Sequence, residues 1–507
     1  MKYRVGRRIP DRNETRKGYI TKVKNSEQGN TMTQNSQNKR RCRQGRRNFL
    51  AAAALSPLLM LHRPAAGETI ADDDEVILRF SVTSDVHFPA PPGRAPIFPF
   101  PSNTQVIQKR RFTKMVNWVR RYSASHRYPR LDAFAVNGDM TDSGADDERL
   151  PFRDIMDQGL PPETKRVLTV ADHGFYASSR EHWEEVFQTP ISAHQVISGY
   201  HFITLSPPDT RYGDGMFADQ IDWVHQQLKD AVADGPEKPI FFFQHYPISR
   251  PEPRDPNRQP QWLYGRSTIR CHQANWGPSD LYGLFQEFPQ VIDFAGDSHY
   301  PICDPGSAWQ DRFSAFGTGS LANLKMLEEP YWKYPEGRYE YAQFYIVEVH
   351  RSGRVHFKLA NLATESFLPL SFVIPAPGHP DSYLYTDARI DSYPIPVWED
   401  GAVLKVPYTT EHGGGFRFEQ TKNRENTQSY RITFREKGKP DAEPALEKYI
   451  WSEFYRFPVP DSIEHFEEGL QPQTEYDVSV TPISFFAGEG KPITASFKTV
   501  ENRPRYY

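Results

Sequence analysis

Five short stretches place acids and imidazoles directly after apolar runs: Asp85-Val86-His87, Gly138-Asp139-Met140-Thr141-Asp142, Asp172-His173, His245 and Asp297-Ser298-His299. Carboxylates and imidazoles gathered in one place repel one another, or suffer on burial, unless something positive joins them. A bound divalent cation resolves that conflict, and a mixed His and carboxylate donor set suits Mn, Fe, Zn or similar ions. A single such stretch is unremarkable, because Asp and Gly dominate ordinary turns for backbone reasons. Five strand ends that all carry Asp or His predict one shared metal site.

Each stretch needs an element to deliver it. Val76–Thr83 reads as a strand running into Ser84-Asp85, and Phe134–Val136 as one running into Gly138-Asp139. Arg166–Val170, His201–Leu205, Pro239–Phe243 and Val291–Ala295 are further apolar strands. Arg110 to Tyr122 and Ala218 to Val232 repeat their apolar residues at helical spacing, and Ser279 to Phe288 reads as a short helix. Tyr341–Val349 and Arg354–Leu359 read as a closing hairpin. Alternating strands and helices predict an α/β fold, and open α/β sheets bind ligands at the carboxyl edge of their strands.

The order and spacing of the five stretches resemble the calcineurin-like metallophosphoesterase superfamily, over residues 75–365. That family's pattern runs Asp-x-His, Gly-Asp-x-x-Asp, Gly-Asn-His-Asp/Glu, His and Gly-His-x-His. The resemblance implies a four-layer sandwich, two mixed sheets flanked by helices. It also implies a phosphoester hydrolase in which two divalent metal ions (Mn, Fe, Mg or Zn) activate a bridging hydroxide for in-line attack on phosphorus. By the same matching, Asp85, His87 and His299 would hold the first metal, Asp139 would bridge, and His245 would hold the second. Asp172 stands where the family has Asn, and Asp297 where it has His. Both replacements are oxygen donors and make the second site harder, which favours Mn, Mg or Fe(III) over Zn. His173 matches the histidine that protonates the leaving group or steadies the phosphoryl oxygens, and Asp142 the acid that orients it. Purple acid phosphatases carry Tyr where Asp142 stands, so no Fe–phenolate chromophore is expected. The alternative is a catalytically silent metal-binding surface protein with a β-sandwich interaction module.

Two loops leave ligand positions directly. Residues 246–270 carry Arg250, Arg254, Arg258, Arg266 and Arg270, any of which could grip a phosphate or merely face solvent. The Pro- and Phe-rich run from Phe88 to Pro101 could wall the site or lie on the surface.

Composition frames the rest. The 507 residues have a formal charge of -3, but residues 1–66 carry 16 Lys+Arg against 3 Asp+Glu, leaving 45 basic and 61 acidic residues beyond. An acidic body argues against nucleic acid or an anionic membrane surface as partner, and a phosphoester is the expected substrate. Residues 1–70 form a basic leader. Within it, Gly45-Arg46-Arg47-Asn48-Phe49-Leu50, about 13 apolar residues and Ala65-Ala66-Gly67 resemble a bacterial twin-arginine export signal. That implies an exported, periplasmic or extracellular protein, with Met32 a candidate start and no transmembrane span in the mature chain. Of three cysteines, Cys42 lies in the leader, and Cys271 and Cys303 either pair or stay as buried thiols. Residues 366–396 read as a Pro-rich linker. Residues 397–500 alternate as an antiparallel sandwich, and the run Leu470 to Val480 resembles fibronectin type III domains, with Tyr476 as the tyrosine corner. No tryptophan marks the usual second strand of such a domain, and no partner is read for this module.

Overall fold

A computed structural model describes residues 74–97, 104–208, 217–248, 280–324, 341–439 and 443–501. The expected leader lies outside them, as do Cys42 and Cys271. In chain order the first elements are β1 (Val76–Thr83), α1 (Gln105–Ala124), β2 (Ala133–Asn137), α2 (Asp146–Gly159), β3 (Lys165–Thr169) and α3 (Arg180–Phe187). Next come β4 (Ala193–Ile197), β5 (Tyr200–Thr204), α4 (Ile221–Asp234), β6 (Ile240–Phe243), α5 (Asp280–Phe285) and β7 (Val291–Ala295). Then follow β8 (Ala308–Gln310), β9 (Ser314–Gly317), β10 (Gln343–His350), β11 (Val355–Asn361) and β12 (Ser366–Ile374).

These strands form two mixed six-stranded sheets, ordered β12-β11-β10-β1-β2-β3 and β4-β5-β6-β7-β9-β8. Strands β1, β2 and β3 run parallel in the first, and β5, β6, β7 and β9 in the second. Side chains alternate across each strand, so neighbours in sequence enter different cores. Ala133 and Ala135 of β2 face the layer between the sheets, where Phe80, Phe202, Phe243, Phe294 and Phe357 meet. Phe134 and Val136 face outward onto Phe112, Met115 and Phe152 of α1 and α2. On the far side, Ile203 and Phe242 receive Val224 and Leu228 of α4 and Leu281 of α5. Helix, sheet, sheet and helix thus stack as four layers. No helix among the described residues is long and apolar enough to cross a membrane.

The expected linker begins as β12, an edge strand paired antiparallel to β11. The segment after it lies against the second sheet. Gln310 Oε1 accepts the N–H groups of Leu384 and Tyr385 at 2.9 and 3.1 Å, and Trp309 Nε1 donates to Asp387 at 3.1 Å. A short helix α6 (Ala388–Ser392) follows.

The C-terminal strands are β13 (Lys405–Thr409), β14 (Gly413–Glu419), β15 (Thr427–Glu436), β16 (Leu446–Trp451), β17 (Ser462–Glu468), β18 (Glu475–Ser484) and β19 (Ile493–Lys498). They form antiparallel sheets of three strands, β13-β14-β17, and four, β16-β15-β18-β19. Phe416, Phe418, Tyr430, Phe434, Val478 and Phe497 fill the space between. Tyr476 is buried and its hydroxyl accepts the N–H of Gln471 at 2.9 Å. Trp398, ahead of β13, stacks on Tyr430 with ring centres 5.7 Å apart.

Candidate metal centre

The parallel strands deliver their ends to one edge. In-register pairing of β1, β2 and β3 carries the loops after Thr83, Asn137 and Thr169 out together. The pairing continues past the strands, with Asp85 N–H donating to Gly138 O at 3.2 Å and His87 N–H to Asp139 O at 2.9 Å. From the second sheet, β6 and β7 bring His245 and Asp297 to His299, and Gly296 N–H donates to His245 O at 2.8 Å. Two glycines permit the approach. A Cβ on Gly138, whose φ is +82°, would stand 2.2 Å from His245 Nδ1. One on Gly296 would stand 2.8 Å from Asp85 Oδ2.

Second contacts aim the imidazoles. His245 Nδ1 bonds to Asn137 O at 2.8 Å, His299 Nδ1 to Asn323 O at 3.2 Å, and His173 Nδ1 to Asp142 O at 2.6 Å. A carbonyl only accepts, so each Nδ1 carries the proton and each Nε2 faces the centre. There His299 Nε2 lies 3.1 Å from His87 Nε2 and 3.0 Å from Asp85 Oδ1. Asp139 Oδ2 lies 3.4 Å from His245 Nε2, 3.6 Å from His87 Nε2 and 4.0 Å from His173 Nε2. Three donor sets have ligand atoms within 4.8 Å of one another: Asp85, His87 and His299; His87, Asp139 and His173; and Asp85, Asp139 and His245.

Among the described residues, the cluster joins buried acids to imidazoles alone, on a strained backbone. Asp85 Oδ1, Asp139 Oδ1 and His245 Nε2 are buried without a hydrogen bond. Asp85 and Asp139 pair with no Lys or Arg among the described residues, only with imidazoles. Burial opposes charge on Asp139, yet His173, then His245 and His87, hold its carboxyl well below the usual carboxylate range. Burial likewise opposes charge on His245, but Asp139 and then Asp85 raise it to about 10. Asp85, His87, Asp139, Asp297 and His299 have left-handed backbones, with φ of 49°, 42°, 45°, 59° and 53°. Such conformations cost about 1–3 kcal/mol each in a non-glycine residue and persist where the surroundings over-determine them. Orphaned carboxylate oxygens, inward Nε2 atoms and mixed donors fit divalent cations.

Asp172 and Asp297 stand beside these donor sets, not within them. Asp172 accepts the hydroxyls of Tyr176 and, at 3.2 Å, Tyr246. Burial, then the charge on Asp139, raises its carboxyl above the usual range. The backbone N–H of Asp297 donates to Asp85 Oδ2 at 3.1 Å, and its carboxylate is one of the charges that favour protonated His245. Asp142 contacts His173 by its main-chain carbonyl, and its carboxylate accepts the N–H of Ile97 at 2.5 Å. Phe88 enters the core against α1 and α2 and does not wall the site. Residues 249–279, with the five arginines, lie outside the described residues, as do Phe98 to Pro101.

The sequence reading missed the groups that aim the ligands. Asn137 Nδ2 donates to Gln244 O at 2.9 Å and Phe294 O at 2.8 Å, so one amide of the first sheet grips two carbonyls of the second. An amide immediately before Gly138-Asp139 was the available signal. Asn323 and Tyr176 had none. Another acid and histidine cluster also went unread: Glu348, His350 and His356 on β10 and β11.

No protein-family model and no curated protein matches this sequence. Among solved structures, a dimetal phosphatase from Danio rerio is 10% identical, with 59% of this chain and 99% of that one covered, at a TM-score of 0.38. The FN5 domain of Drosophila Lar is 21% identical, with 21% of this chain and 100% of that one covered, at a TM-score of 0.16.

Proposed function

We propose that this chain is an exported, calcineurin-like phosphoester hydrolase that works with a pair of divalent metal ions. One observation carries the reading. Six side chains from five strand ends, Asp85, His87, Asp139, His173, His245 and His299, converge with their Nε2 atoms and carboxylates inward. Asp85, His87 and His299 would hold one ion, Asp139 would be shared, and His245 would hold the other, with Asp172 and Asp297 drawn in as outer oxygen donors. Bound there, such ions supply an acidified water and neutralise charge on phosphate oxygens. The protein's own part is to hold that geometry. Asn137 and Asn323 keep His245 and His299 in the tautomer that leaves Nε2 open. His173, tethered by Asp142 O, faces Asp139 and is placed to pass a proton to a departing oxygen. The Arg46-Arg47 leader supports action outside the cytoplasm, and the run around Tyr476 supports a fibronectin type III-like sandwich.

Metal analysis of the purified full chain tests this, together with assay of aryl phosphate mono- and diesters in Mn, Mg, Zn and Fe. Hydrolysis that follows metal content and disappears on chelation is the expected result. A chain that binds no metal, or binds it and cleaves neither ester class, overturns the reading.

A further inference from the structure

We propose that the C-terminal sandwich is part of the apparatus that holds the metal-binding edge in place, with Gln428 and Tyr300 as positioning residues. The inference rests on the reading of His299 as a metal ligand. It begins with the loop after β7, which carries Asp297 and His299 and then turns into the sandwich. Tyr300, the residue after that histidine, is buried in a cluster with Tyr393, Phe454, Tyr455, Phe485 and Phe486. Gln428, fully buried on the central strand β15, reaches back to the loop. Its single amide nitrogen donates to Tyr300 Oη at 3.1 Å and to Asp304 Oδ2 at 3.2 Å. Both N–H groups of the amide are thereby used on two points of one loop. Asp304 spends its other oxygen on the N–H of Gly306 at 2.7 Å, so the far end of the loop is closed by the same acid. Between them, Gln343 Nε2 donates to Tyr455 O at 3.4 Å and to Cys303 Sγ at 3.5 Å.

The loop needs such a wall. Asp297 and His299 hold left-handed backbones that the chain would not adopt unaided. On the site side, His299 is held by Asn323. On the other side Gln428, Phe454, Tyr455, Phe485 and Phe486 of the sandwich hold it, together with Gln343 of β10 and Tyr393. A merely tethered module meets its neighbour through a modest polar interface. Here aromatic rings and a buried amide form the contact, one residue away from a ligand.

The test uses the full chain with Mn(II) and, separately, Zn(II) as probes in titration calorimetry, with thermal stability measured in chelator. Gln428→Met keeps the length of the side chain and removes both donors, and Tyr300→Phe removes one acceptor. Displacing the supports of a ligand weakens metal affinity about tenfold or more, which is the expected loss for Gln428→Met, with a smaller loss for Tyr300→Phe. The double variant should bind as Gln428→Met does, because the two changes break one shared contact. Phe434→Leu, in the sandwich core away from the loop, should lower the melting temperature and leave affinity unchanged. If Gln428→Met does not fold, Tyr300→Phe against Phe434→Leu decides. Wild-type affinity in the Gln428 and Tyr300 variants, or an equal loss in Phe434→Leu, overturns the inference. A wild-type chain that takes up neither ion overturns the metal-centre reading instead.

Discussion

Two clusters of acids and histidines lie on the same pair of sheets, and they are solved differently. Among the described residues, the only positive groups paired with the Asp85 and Asp139 carboxylates are imidazoles, and one oxygen of each acid has no hydrogen bond. Around Glu348 the protein supplies its own cations. Arg79 Nε lies 2.7 Å from Glu348 Oε1 and Lys358 Nζ lies 2.8 Å from Oε2, while Arg354 Nη2 lies 3.3 Å from His350 Nδ1. The backbones differ in the same sense. Glu348 and His356 face each other in an ordinary antiparallel ladder, whereas the first cluster sits on strained turns beyond the strand ends. Donor spacing alone would nominate both as metal sites. Charge balance separates them: a cluster neutralised by a buried Arg79 and a half-buried Lys358 has no call for an ion, and would repel one.

That contrast can be broken by exchange of single residues. Asp139→Asn should abolish metal uptake and reduce ester hydrolysis by about 10³-fold or more, since the ions carry several kcal/mol of charge stabilisation. Its melting temperature in chelator should fall below that of the wild type, because His173, His245 and His87 lose the carboxylate that they hold ionised. Glu348→Ala strands Arg79 and Lys358 and should cost about 3–5 kcal/mol in denaturant unfolding, with metal stoichiometry unchanged. Loss of metal in the Glu348 variant would erase the distinction drawn here.

The pH response sharpens it further. Burial, then the charge on Lys358, pushes His356 down to about 4. Its unfolded value is about 6.5, so the unfolded chain binds more protons between these limits. The contribution is complete above pH 6.5 and is lost as pH falls toward 4, up to about 3 kcal/mol. His356→Gln should flatten this part of the stability profile, measured with chelator present so that the metal centre does not contribute. Smallest in effect, Asn137→Ala should weaken metal binding by about 10–100-fold while leaving a folded chain, by releasing the carbonyls of Gln244 and Phe294 that the amide grips beside His245. Calorimetric titration of the variant against wild type reads that change directly.

The strand ends were legible because burial on both faces leaves an unbroken apolar run, and an acid or imidazole closing such a run stands out. Val76–Thr83 and Val291–Ala295 have in the structure the bounds read from the sequence. What was illegible had physical causes. Strand β12 contains Pro369, which argues against a strand and is tolerated here because β12 lies at the sheet edge. Helix α2 went unread because Pro151 lies inside it. Matching by type assigned ligand roles to Asp172 and Asp297 alike, and it could not foresee the two tyrosine hydroxyls that meet the first or the backbone bond from the second to Asp85. Asn323 holds His299 from 24 residues further along the chain, and nothing in the sequence links the two.

The left-handed residues at the site carry a lesson for anyone who evolves this molecule in the laboratory. At Asp85, His87, Asp139, Asp297 and His299 glycine would relax the main chain. Glycine there would also take away the side chain on which the centre depends. A library sorted only for survival at high temperature would therefore gather inert clones at these five codons, so turnover must be scored alongside heat resistance in every round.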